Sequence, residues 1–81
     1  MEIIDQTEMK YLILGLAERN IPFTLRSFFN GIQVMCDSWD AICHDGSYGG
    51  KDGLIEVMGL PDCEGDVIGH LTADEVLKMI D

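Results

Sequence analysis

"FTLRSFFNGIQVMCDSWDAICH", residues 23–44, decides how the chain folds, because apolar and polar side chains alternate through it with a period of two. Phe23, Leu25, Ser27 and Phe29 fall on one face of an extended segment, and Thr24, Arg26 and Phe28 on the other. Asn30-Gly31 then supplies the dipeptide that tight hairpins favour, since both central residues of the common two-residue turn need positive φ. Centring the turn there predicts Phe29 opposite Ile32, Ser27 opposite Val34 and Leu25 opposite Cys36, with Arg26 opposite Met35 and Phe28 opposite Gln33. Asp37-Ser38 marks a second turn, after which Trp39, Ala41 and Cys43 continue the apolar face and Asp40, Ile42 and His44 the other. A three-stranded meander with Trp39 buried on its apolar face is expected.

Outside this stretch the spacing becomes helical. Upstream, Met9, Leu12, Ile13, Leu16 and Ala17 recur as one apolar stripe, and Asn20 followed by Pro22 supplies a stop, so a helix is predicted near 6–19. Tyr11 and Leu14 fall outside the stripe, and Gly15 costs about 1 kcal/mol against alanine in a helix interior, which implies wider burial or a close backbone contact. Downstream, Val76, Leu77 and Ile80 share one side of a short helix near 73–80. The same device precedes each helix: Asp5 with Glu8 and Thr72 with Glu75 are spaced as capping boxes, Ile4 with Met9 and Leu71 with Val76 as hydrophobic staples. "LIEVMG", residues 54–59, suits either a strand or one helical turn, and a fourth strand is the expectation. The predicted architecture is α+β: an N-terminal helix, a three- to four-stranded antiparallel meander and a short C-terminal helix. A single domain spans 1–81, with both helices over the Phe23 and Trp39 face.

With 47% hydrophobic and 25% charged residues the 81-residue chain has the composition of a folded globule. Fifteen acidic against five basic side chains give a formal charge of −10. That field repels phosphate backbones, so no direct nucleic-acid binding is expected; it favours solubility and a protein partner with a basic surface. Between positions 37 and 66 the acids Asp37, Asp40, Asp45, Asp52, Glu56, Asp62, Glu64 and Asp66 face only Lys51. "MEIIDQ" lacks a basic segment followed by an apolar one, and no stretch reaches the roughly 18 apolar residues of a membrane span, so a cytoplasmic protein without membrane contact is predicted. Three cysteines at irregular spacing fit reduced thiols.

"CHDGSYGGKDG", residues 43–53, concentrates chemically able side chains among four glycines. A phosphate-cradling loop would need glycine at 45 and serine or threonine at 52, and both positions are aspartate. Cys43 and His44 cannot form a nucleophile–base pair if they sit side by side on a strand, because adjacent side chains point to opposite faces. Cys36, Cys43, Cys63, His44 and His70 could together furnish zinc ligands, but six residues separate Cys36 from Cys43 and Cys63 from His70, unlike the short knuckles of structural zinc sites. "DCEGDVIG", residues 62–69, places acids at the first, third and fifth positions of a calcium loop but valine at the sixth and Ala73 at the twelfth, so it reads as an acidic loop. No cofactor is predicted, and residues 43–53 read as a mobile connection with Tyr48, Lys51 and His44 as contact candidates.

"SWDAICHDGSYGGKDGLIEVMG" and the closing "VIGHLTADEVLKMI" resemble small proteins of unknown function found in phage and prophage gene clusters of Gram-positive bacteria. The resemblance covers about residues 11–80 and implies a phage-linked accessory protein that binds a host protein, with no catalytic residues to carry over.

These readings converge on a small acidic, non-catalytic protein-interaction module. The alternative is a metal- or thiol-dependent enzyme using Cys43, Cys63, His44 or His70, with Cys36, Cys43, Cys63 and His70 as the metal set. For the interaction module, the face opposite the helices should present Arg26, Met35 and Asp40 in one cross-strand row and Phe28, Gln33 and Ile42 in the next, making Phe28, Met35 and Ile42 neighbours rimmed by charge.

Overall fold

In the computed structural model, which describes residues 3–81, the chain runs α1 (Thr7–Glu18), β1 (Thr24–Phe28), β2 (Gly31–Met35), β3 (Asp40–Cys43), β4 (Ile55–Met58), β5 (Val67–Leu71) and α2 (Ala73–Ile80). The five strands form one antiparallel sheet in sequence order, so each strand pairs with its neighbours in the chain. The α+β class and the meander hold. The strand count exceeds the expectation by one, because residues 67–71 are a strand and only the segment before them is an acidic loop.

The hairpin forms one residue earlier than the Asn30-Gly31 signal implies. Phe28 pairs with Gly31, Ser27 with Ile32, Arg26 with Gln33 and Leu25 with Val34, and the left-handed residues of the turn are Phe29 (φ 43°) and Asn30 (φ 60°). Gly31 serves a different purpose: a Cβ at this position would overlap the Cys43 carbonyl and crowd His44 Cα, so glycine is needed for the close approach of β3. Moving the turn back by one residue shifts each pairing by two, which preserves the faces. Val34, Ala41 and Cys43 are accordingly enclosed as expected. Asp37-Ser38 is the second turn, closed by the Cys36 N–H donating to the Trp39 carbonyl at 2.9 Å. Trp39 itself precedes β3 and is only partly buried.

Helix α1 buries Met9, Leu12, Gly15 and Leu16, while Tyr11, Leu14 and Ala17 stay exposed. Of the two explanations open for Gly15, close packing applies: a Cβ there would lie 2.5 Å from Leu77 Cδ1 of α2. The helix stops at Asn20 (φ 57°), whose N–H donates to the Ala17 carbonyl while the Ile21 N–H donates to that of Leu16. This double bond pattern satisfies carbonyls that the last turn leaves unpaired.

Only one of the two capping boxes forms. At α2 the Thr72 side chain accepts from the Glu75 N–H and the Glu75 carboxylate accepts from the Thr72 N–H. At α1, Asp5 accepts from the Thr7 N–H and hydroxyl, and Glu8 turns away to accept from the Ala73 N–H of α2 at 2.8 Å. Glu8 beside Ala73, Gly15 beside Leu77 and Arg19 bonded to Asp81 at 2.8 Å ascend together along both helices. The helices therefore run parallel, with their positive ends adjacent. Asp5, Glu8 and Glu75 sit at that shared end, where carboxylates offset the aligned dipoles.

Both helices cover the same face of the sheet, over a core that includes Val34, Ala41, Ile55 and Val57. Coverage stops short of β1, whose five residues are all exposed. The helices thus lie over the middle of the sheet, and β1 overhangs them.

Candidate functional site

The other face of the sheet carries no helix. Parity along the strands places Thr24, Met35, Asp40, Met58 and Val67 in one cross-strand row and Arg26, Gln33, Ile42 and Glu56 in the next. This corrects the expected rows, which followed from the displaced turn: Arg26 lies across from Gln33, and Thr24 is the neighbour of Met35. Phe28 is separated from Met35 by the intervening Arg26 row, so the expected trio of Phe28, Met35 and Ile42 is not contiguous. Ile42 instead lies diagonal to both Met35 and Met58, which flank Asp40 on the two neighbouring strands; Met58 is 50% exposed, and Gln33 donates to Asp40 at 2.8 Å. Met58 and Glu56 escaped the sequence reading. The alternation Ile55, Glu56, Val57, Met58 held the signal, with Ile55 and Val57 pointing to the core.

Phe28 belongs to a second group at the hairpin tip. Its ring lies 4.3 Å from that of Phe29, and both rings meet His44 edge-on at 5.3 and 5.6 Å. The Arg26 guanidinium sits 4.6 Å above the Phe28 ring, within the range of a cation–π contact. His44 is 7% exposed, and its Nδ1 accepts from the Gly46 N–H at 3.0 Å. A histidine so enclosed by phenyl rings serves packing. Phe29 is 64% exposed, and its positive φ is costly for a bulky residue.

His44 also opens the glycine-rich segment, which proves to be a run of interlocked turns, where a mobile connection was expected. The Ser47 N–H donates to the His44 carbonyl, Gly50 to Ser47, Gly53 to Gly50 and Leu54 to Gly49. A Cβ on Gly50 would overlap the His44 carbonyl, so the turns close only without side chains there. Tyr48 fixes the segment to the sheet, its N–H donating to the Glu56 carboxylate at 2.9 Å and its carbonyl accepting from the His70 N–H at 3.1 Å. The His70 N–H turns toward it because two residues of β5, Gly69 and His70, bulge opposite Glu56, with His70 at φ 59°. Tyr48, Lys51 and His70 line a shallow depression of about 270 Å³ that Asp45 and Asp52 also border.

The thiols are dispersed. Cys43 is buried with Sγ 3.6 Å from the Asp5 carbonyl, Cys63 is buried with Sγ 3.6 Å from the Val57 carbonyl, and Cys36 is half-buried near Asp40. Burial pushes the Cys43 thiol up, with Gln6 opposing and the Asp5 charge adding; burial and then the Asp40 charge push the Cys36 thiol up. Both effects disfavour the thiolate that would attack a substrate or bind a metal. Among the described residues, no three His, Cys, Asp or Glu side chains come together as metal ligands, so Cys36, Cys43, Cys63 and His70 do not assemble. No described helix is long and apolar enough to cross a membrane. No known protein family, curated protein or solved structure matches this chain.

Proposed function

We propose that the chain is a small protein-interaction module without catalysis of its own, and that its helix-free sheet face receives the partner. One observation carries this reading: Met35, Ile42 and Met58 form an apolar neighbourhood on an open face, interleaved with Gln33, Asp40 and Glu56. Apolar area bordered by polar groups that can be paired on contact is how binding surfaces are built. The partner's surface is basic, because the protein carries −10 overall and Asp40 and Glu56 lie within the face itself. The free thiols suit a reducing compartment, the cytosol. The resemblance of residues 11–80 to phage-cluster proteins fits an accessory role against a host protein.

The test compares the wild type with an Ile42→Thr, Met58→Gln double variant, each immobilised and exposed to the same host extract. The variant should keep the wild-type circular dichroism and lose the protein that the wild type retains. If the folded variant retains the same protein equally well, or if it unfolds, the face is not the contact surface.

A further inference from the structure

We propose that β1 pairs edge to edge, antiparallel, with β1 of a second copy of this chain, making a ten-stranded sheet across a two-fold axis at Leu25. The contact is made along the sheet edge rather than across the helix-free face, which it touches only at Met35, and the two sheet edges are unequally protected. At β5 the ladder is broken by the Gly69–His70 bulge, the His70 N–H is taken by Tyr48, and Asp62, Glu64, Asp66 and Asp74 flank the strand. Bulges, covering loops and charge are the devices by which proteins block edge pairing. β1 has an unbroken five-pair register, five exposed residues and a single charge, Arg26.

Charge selects the second copy as the occupant. None of the fifteen acids lies between residues 19 and 36, whereas the rest of the chain holds all of them. Two molecules of charge −10 repel wherever their acidic surfaces approach, and β1 is an edge strand that brings no carboxylate of its own to such a contact.

Backbone geometry sets the register. The pair closing a two-residue turn, Phe28 with Gly31, exchanges its hydrogen bonds, and alternation then turns the N–H and C=O groups of Leu25 and Ser27 outward. Three registers use these groups, and centring on Ser27 would require Phe29, which has left the strand at φ 43° and whose carbonyl already accepts from the Asp45 N–H. Centring on Arg26 would set the two guanidinium groups directly opposite each other, which like charges disfavour. Centring on Leu25 joins Leu25 to its counterpart and Ser27 to Phe23 of the other copy, with Arg26 facing Thr24. Leu25, 52% exposed in the single chain, becomes covered. The same register carries the Phe28 of each copy alongside Pro22 of the other, where Pro22, Phe23, Met35 and Cys36 border a cleft of about 480 Å³. A two-fold arrangement of this kind uses the same patch on both subunits.

Sedimentation equilibrium across a wide concentration range tests the proposal. The wild type should reach twice the 9.0 kDa chain mass. Leu25→Lys sets a charge against its own copy and should weaken self-association about tenfold or more while leaving the monomer folded. Ser27→Pro removes one outward N–H and should do the same; should it unfold, Leu25→Lys decides alone. The Ile42→Thr, Met58→Gln variant should still associate, which separates this edge from the partner face. A wild type that stays monomeric throughout, or a Leu25→Lys protein that associates as tightly as the wild type, overturns the proposal.

Discussion

Strands β1 and β4 both alternate apolar with polar side chains, yet Ile55 and Val57 of β4 are fully enclosed while Leu25 of β1 stays half exposed. Alternation fixes which side of the sheet a residue takes. It says nothing about whether that side is covered. Coverage depends on where α1 docks, and α1 docks against α2, through Gly15 and Leu77, over the middle of the sheet. β1 therefore has the pattern of a core strand and the surroundings of a surface loop.

Truncations probe this contrast most strongly. Ile55→Ala should cost about 2 to 5 kcal/mol, since it removes buried volume from a packed site. Leu25→Ala, measured by the same chemical denaturation in dilute solution, should stay within about 0.5 kcal/mol of the wild type, as surface changes do. Equal losses at both positions would mean that β1 is covered after all. A smaller effect is expected at the helix pair: Glu8→Ala should cost about 0.5 to 2 kcal/mol, because it leaves the Ala73 N–H without its acceptor. The loss should show as faster amide exchange at the start of α2, with the hairpin amides unchanged.

Acid should produce the mildest change, again on the helical side. Hydrogen bonds from Thr7 hold the Asp5 carboxyl below its usual range, the Thr72 N–H and hydroxyl do the same for Glu75, and Arg19 for Asp81. A carboxylate with a depressed folded-state pKa contributes stability above its unfolded value and loses it as pH falls through the lower folded one. The contribution of these three groups should therefore be complete near neutrality and fade below about pH 4. Carboxyl chemical shifts followed by NMR check this, with midpoints at or above ordinary carboxylate values counting against it.

What could be read from sequence was local. Asn20 with Pro22 and Thr72 with Glu75 carry their own stop and start signals, so both helices were legible to within a residue or so. The register was not, because Asn30-Gly31 offers two readings of its glycine: one as a turn residue, the other as a place where β3 passes too close for a Cβ. β5 was hidden by its bulge, which interrupts the alternation at Gly69–His70. The α1 capping box failed for a reason no local pattern contains, since the Glu8 carboxylate is claimed by Ala73, far along the chain. Of the candidate face, Arg26, Gln33, Met35, Asp40 and Ile42 were identified from strand parity, while Glu56 and Met58 required knowing that β4 joins β3.

The parallel helix pair has a consequence for the order of assembly. Every strand finds its partner next door in sequence, so the meander can zip progressively as the polypeptide lengthens. α1, made before the sheet, has its main neighbour in α2, made after it. During synthesis its Met9, Leu12 and Leu16 stripe must wait, apolar and incompletely covered, until residues 73–81 emerge, so the helix pair closes only after the sheet has been made.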